Sequence, residues 1–169
     1  MMNLETVWSQ VLKETSVNDC SIHGPDHWAR VERNGLYLAE KTGANQTIVQ
    51  LFALFHDCRR INDAIDPGHG LRGAEYAAKI KDKLINISSD DFDKLYYACE
   101  WHTDKNETDD ITVAACWDAD RLDIGRVGYI VDAQYMNSKP AKAIAESGDF
   151  NPLERIRLRN WEKLTAPIP

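Results

Sequence analysis

Ile48-Val49-Gln50-Leu51-Phe52-Ala53-Leu54-Phe55-His56-Asp57 is the stretch on which the fold turns. Up to Phe55 it is apolar nearly all round, the pattern of a helix surrounded by other helices rather than lying on a surface. It then runs without a break into an imidazole and a carboxylate. Burying polar groups without partners costs roughly 2–7 kcal/mol even when they are neutral. Something must therefore neutralise His56 and Asp57, and a divalent cation at the negative end of this helix does so.

Outward from that helix the apolar spacing stays helical, and no run alternates as a half-buried strand does. The spacing predicts helices over about 3–15, 25–41, 46–58, 70–84, 89–103, 109–121 and 151–163. Lys41-Thr42-Gly43 ends one helix with a glycine cap, Asp66-Pro67-Gly68 makes a turn, and Ser88 or Ser89 before Asp90-Asp91 starts another helix. The stretch from Tyr135 to Asp149, with Pro140 and Gly148, is expected to be an irregular loop or lid. The expectation is an all-α chain forming one domain over residues 1–169.

A net charge of −7 argues against a nucleic-acid polymer as partner, because such binding rests on clustered Lys and Arg. No run of 18 apolar residues is present to span a membrane, and the N-terminal stretch lacks the apolar centre of a signal peptide. A cytoplasmic location is expected. Cys20, Cys58, Cys99 and Cys116 are scattered and read as free thiols.

The chemistry gathers on histidines and acids. His27 and Arg30 share a helix face that Pro25 helps start. After His56-Asp57 come His69, His102 and the run Trp117-Asp118-Ala119-Asp120-Arg121-Leu122-Asp123. Imidazole with carboxylate suits Mn, Fe, Co, Ni or Zn, with Mg also allowed, more than an all-oxygen calcium site.

This ordered set, an early His, a His-Asp pair and a late Asp in Ala119-Asp120-Arg121-Leu122, resembles the HD-domain superfamily over about residues 23–125. The resemblance implies an orthogonal multi-helix bundle and hydrolysis of phosphomono- or phosphodiesters, frequently of nucleotides. It implies one ion held by His27, His56, Asp57 and Asp120. Asp118 competes with Asp120; residues two apart on a helix point about 200° apart, so both do not face one ion. Asp120, followed by Arg121-Leu122, is the better match. Asp57 or Asp123 would accept the proton of the attacking water, and Arg30 would brace a ligand carboxylate; the plainer reading of Arg30 is a helix-surface ion pair with Asp26. Two-metal relatives recruit further histidines between the paired motif and the late Asp, which is where His69 and His102 lie. The paired histidines and the Gly-Tyr-Pro of the cyclic-dinucleotide enzymes are missing, so His69 and His102 are expected to contact a small phosphorylated substrate.

Cys58-Arg59-Arg60 stands where related branches place an acidic residue. Arg59, Arg60 and Arg72, with the helix start near Gly68 to Gly70, are candidates for a phosphate pocket. Their plainer reading is as cations at a helix C-terminus or on its surface. His23 reads as a loop residue, and Trp28, Trp101 and Trp117 as core, with one of them available to stack on a base. A di-iron oxygenase and a non-catalytic nucleotide or metal sensor are the rival functions on the same fold.

Overall fold

A computed structural model describes residues 2–165. Eight α-helices follow one another: α1 (Leu4–Glu14), α2 (Pro25–Thr42), α3 (Gln46–Phe55), α4 (His69–Leu84), α5 (Ser89–Trp101), α6 (Ile111–Arg121), α7 (Lys139–Ser147) and α8 (Glu162–Thr165). Three short 3-10 turns lie among the later ones, and there is no strand among the described residues. The bundle is all-helical, as the spacing predicts.

Helix α3 sits at the centre. Ile48, Val49 and every residue from Leu51 to Phe55 are buried, and α2, α4, α5 and α6 all pack on it. Its start is fixed by Asn45, whose side chain accepts from Thr47 and Ile48 N–H. Helix α2 begins with Pro25 in its first turn and ends at Gly43, which takes the left-handed conformation (φ 80°). Ser88 and Asp110 cap α5 and α6 in the same way as Asn45 caps α3.

Helix α4 is brought close by glycines. A Cβ on Gly73 would overlap the Phe55 carbonyl oxygen, and one on Gly70 would overlap the Cys99 carbonyl oxygen. Only a residue without a side chain lets α4 lie against both the end of α3 and the end of α5.

Two expectations are corrected past residue 135. The supposed loop contains α7, with Ser138 accepting from Ala141 N–H, Pro140 in the first turn and Gly148 left-handed at the end. Pro140 and Gly148 punctuate this helix instead of preventing it. The helix expected over about 151–163 is instead a 3-10 turn at Leu153–Arg155, an extended run and the short α8. That run is held by Arg159, which donates to buried Glu32 at 2.6 and 2.7 Å, and by the Trp161 indole, which donates to Asp26 at 2.7 Å.

Candidate metal centre

His56 stands just past the last residue of α3 and keeps helical geometry, so its ring is fully buried. Its Nδ1 faces the carbonyl oxygens of Phe52 and Ala53 at 3.1 and 3.0 Å. Three other imidazoles are held alike: His27 Nδ1 donates to Asp123 at 2.7 Å, His69 Nδ1 to Asp66 O at 2.7 Å, and His102 Nδ1 to Cys99 O at 2.7 Å. Each acceptor keeps the proton on Nδ1, which leaves the Nε2 lone pair of the neutral ring for another partner.

All four Nε2 atoms point inward around Asp57. His27 and His56 place theirs 3.1 Å apart, with Asp120 Oδ1 at 3.1 and 3.7 Å and Asp57 Oδ2 at 3.6 and 3.5 Å. On the opposite side of Asp57, Oδ1 lies 3.2 Å from His69 and 3.8 Å from His102, whose Nε2 atoms are 3.0 Å apart. The structure thus brings His27, His56, Asp57 and Asp120 together from α2, the end of α3 and α6.

A divalent ion fits this donor set. Two ligand atoms about 2.1 Å from one ion stand about 3.0 Å apart at a right angle and about 3.4 Å apart in a tetrahedron, a range that includes the 3.1 Å between the His27 and His56 nitrogens. Without a cation or a proton between them, two lone pairs oppose each other in a buried space. Asp57 Oδ1 is buried and has no hydrogen-bond partner among the described residues, so it too lacks its complement. Three overlapping groups can hold an ion: His23-His27-Asp57, His27-His56-Asp120 and Asp57-His69-His102.

Burial pushes the His56 imidazole down to about 3, so it is neutral and ready to ligate. Burial acts the other way on Asp57, but His56, His102, His23 and His69 hold its carboxyl well below the usual range. Asp120 is lowered despite burial by His27 and His56. His27 is raised: burial opposes its charge, and the hydrogen bonds to Asp120 and Asp123 overcome it.

Several expected roles change. Asp123 accepts from His27 and, at 2.8 Å, from Arg30 Nε, which holds the orientation of the His27 ring. Arg30 acts through Asp123 and does not touch the cluster. Arg59 leaves the site: it lies over the Tyr76 ring at 3.7 Å and donates to Glu14 O at 2.6 Å. Arg72 is engaged by Asp66, with both carboxylate oxygens at 2.7 Å, and by the carbonyls of Arg59 and Pro67. Gly68 and Gly70 do not line the cavity either. Asp118 is buried and accepts from Asn137 and Ser138 N–H, both at 2.7 Å, so it ties down the chain before α7. Trp28 and Trp117 are core, and none of the three tryptophans lines the cavity.

Arg60 does reach the centre. It lines a cavity of about 630 Å³ together with Asp57, His69, His102 and Asp120. Two further lining residues, His23 and Arg126, were not expected as site residues. His23 Nδ1 is 2.9 Å from Asp57 Oδ2, and the loop carrying it is fixed by the Trp28 indole donating to His23 O at 2.7 Å. The lone signal in the sequence was its position four residues before His27. Arg126 donates to Ile22 O and Asp123 O at 2.9 and 3.1 Å. Exposed apolar and aromatic side chains, Ile22, Ile124, Tyr129, Ile130 and Tyr135, also line the cavity, beside polar ones such as Asp63 and Asp132.

The model of the HD domain matches residues 26–125, more than half of the chain, and the protein belongs to that family. Its members form a superfamily of metal-dependent phosphohydrolases, and HD domains bind divalent metals. Neither the curated proteins nor the solved structures include a significant match.

Proposed function

We propose that the protein is a phosphohydrolase that uses a divalent transition metal to cleave a small phosphorylated compound, a nucleotide first among candidates. The convergence of the His27 and His56 Nε2 atoms with Asp57 and Asp120 carries this reading. These four residues would hold the ion. When bound, it supplies Lewis-acid charge to a phosphoryl oxygen and acidifies a water.

The chain supplies the rest. Arg60 and Arg126 put positive charge on the cavity wall, where phosphoryl oxygens gain from it in a desolvated site. Asp57, held ionised far below neutral pH, is a ligand and a poor proton acceptor. His102 suits that task better. Burial lowers its basicity, yet the Asp57 carboxylate 3.8 Å from its Nε2 raises it overall, and the residue lines the cavity. Tyr129 and Tyr135, which line the cavity, offer their faces to a flat ring such as a base. The Asp57-His69-His102 group favours a second reading, two irons activating O2.

The test is a screen of purified protein with Mn, Co, Ni, Fe, Mg and Zn against phosphomonoesters, nucleotides and cyclic diesters. Phosphate release that disappears in His56→Ala is expected. Release that persists in that variant points to a contaminant, and O2 consumption by iron-loaded protein without phosphate release replaces this reading with the oxygenase.

A further inference from the structure

The second His/Asp group already contains a cation belonging to the chain. Arg60 NH1 donates to His69 Nε2 at 3.1 Å and lies 3.6 Å from Asp57 Oδ1. Its side chain is 8% exposed, so this is a buried charge that needs a nearby carboxylate, and Asp57 is the one it has.

The guanidinium is built into place. Nε donates to Asn62 O at 3.3 Å and NH2 to Ala64 O at 2.7 Å, so the far side of the planar fork is clamped by backbone carbonyls. The backbone is anchored as well: Arg60 N–H donates to Asp57 O at 3.1 Å, and the Ser16 hydroxyl donates to Arg60 O at 2.9 Å. A side chain fixed at both ends does not swing away at little cost.

We propose that the Arg60 guanidinium takes the place of a second metal ion in the Asp57-His69-His102 group, so that the protein holds one ion and provides the second positive charge itself. An ion ligated by Asp57 Oδ1, His69 and His102 would share His69 Nε2 with Arg60 NH1 and face a like charge in a space of low dielectric. The group holds too little negative charge to offset that repulsion, because Asp57 is its single carboxylate and is shared with His27 and His56. One divalent ion matches the two charges of Asp57 and Asp120, and the guanidinium occupies the other side of Asp57, 3.6 Å from Oδ1, where a second divalent ion would leave a larger excess of positive charge. Because Arg60 also lines the cavity, its charge meets the substrate where a second ion otherwise would. This rests on the metal reading above.

The test counts ions directly. Metal-depleted protein is titrated with Mn2+ by calorimetry, and the loaded protein is examined by electron paramagnetic resonance. Wild type should bind one Mn2+ and show an uncoupled six-line signal. Arg60→Met, which removes the charge, should bind two and show an exchange-coupled pair; Arg60→Gln, which keeps donors for Asn62 and Ala64, is the second neutral variant. Arg60→Lys should stay at one. Two coupled ions in wild type, or one ion in both neutral variants, overturns the proposal and leaves the metal-dependent reading standing. No Mn2+ in wild type, or unchanged binding in His56→Ala, removes both.

Discussion

His56 shows how one residue is made into a ligand. Its ring is fully buried, its Nδ1 is engaged by the end of its own helix, and burial keeps Nε2 unprotonated down to about pH 3. In the unfolded chain the same imidazole titrates near its ordinary value of 6.5. Unfolding between these values takes up a proton, so stability rises with pH across that window by up to about 1.4 kcal/mol per pH unit. Asp57, also lowered, acts in the same direction once the pH falls below the usual carboxylate value. His27 acts oppositely, because its raised value gives stability that is present below pH 6.5 and is lost as pH rises through the folded-state value. Urea unfolding of chelator-treated protein should therefore lose stability steadily from pH 6.5 toward 4, and His56→Ala should flatten that slope. An equal slope in the variant shows that His56 is not the group responsible. His56 and Asp57 were legible because an all-round apolar helix ran straight into them. His23 was not, because its approach to Asp57 depends on a loop fixed by Trp28, a contact no spacing rule contains.

Single positions without side chains set how the elements meet. Gly73 lets α4 touch the last carbonyl of α3, and Gly70 lets it touch the last turn of α5, where a Cβ would also crowd the His102 ring. His69, at the start of α4, reaches His102 and Asp57 through this close approach. Gly73→Ala would place its methyl against the backbone oxygen of Phe55, which has no freedom to turn aside. A loss of roughly 1–3 kcal/mol is expected from such overpacking. Chemical denaturation measures it, and an unchanged midpoint would show that the helices separate freely. The ends of α2 and the start of α5 were readable because Pro25, Gly43 and Ser88 obey local capping chemistry. Helix α7 obeys it too, with Ser138 as its N-cap, Pro140 in its first turn and Gly148 at its end; Pro140 and Gly148 alone fit a loop equally well. The 151–163 run could not be read locally, since Glu32 and Asp26, far away in α2, anchor it through Arg159 and Trp161.

Across the whole molecule, the ligands of the proposed ion come from the start of α2, the end of α3 and the last turn of α6. The unfolded chain does not hold these groups together, so an ion that binds them binds the folded state and stabilises it by mass action. At a free metal concentration 100-fold above Kd this amounts to about 2.7 kcal/mol. For a chain of this length each kcal/mol moves the midpoint by roughly 2–4 °C, so Tm should rise by roughly 5–11 °C on adding Mn2+ to metal-depleted protein. The rise should continue with metal concentration instead of reaching a plateau, because the coupling is logarithmic. His56→Ala should show almost none of it, and Asp118→Asn should show all of it from a lower starting Tm, since Asp118 holds the chain before α7 and not the centre. Scanning calorimetry of the three proteins with and without Mn2+ makes the comparison, and a shift in His56→Ala equal to that of wild type would place the metal somewhere other than this cluster.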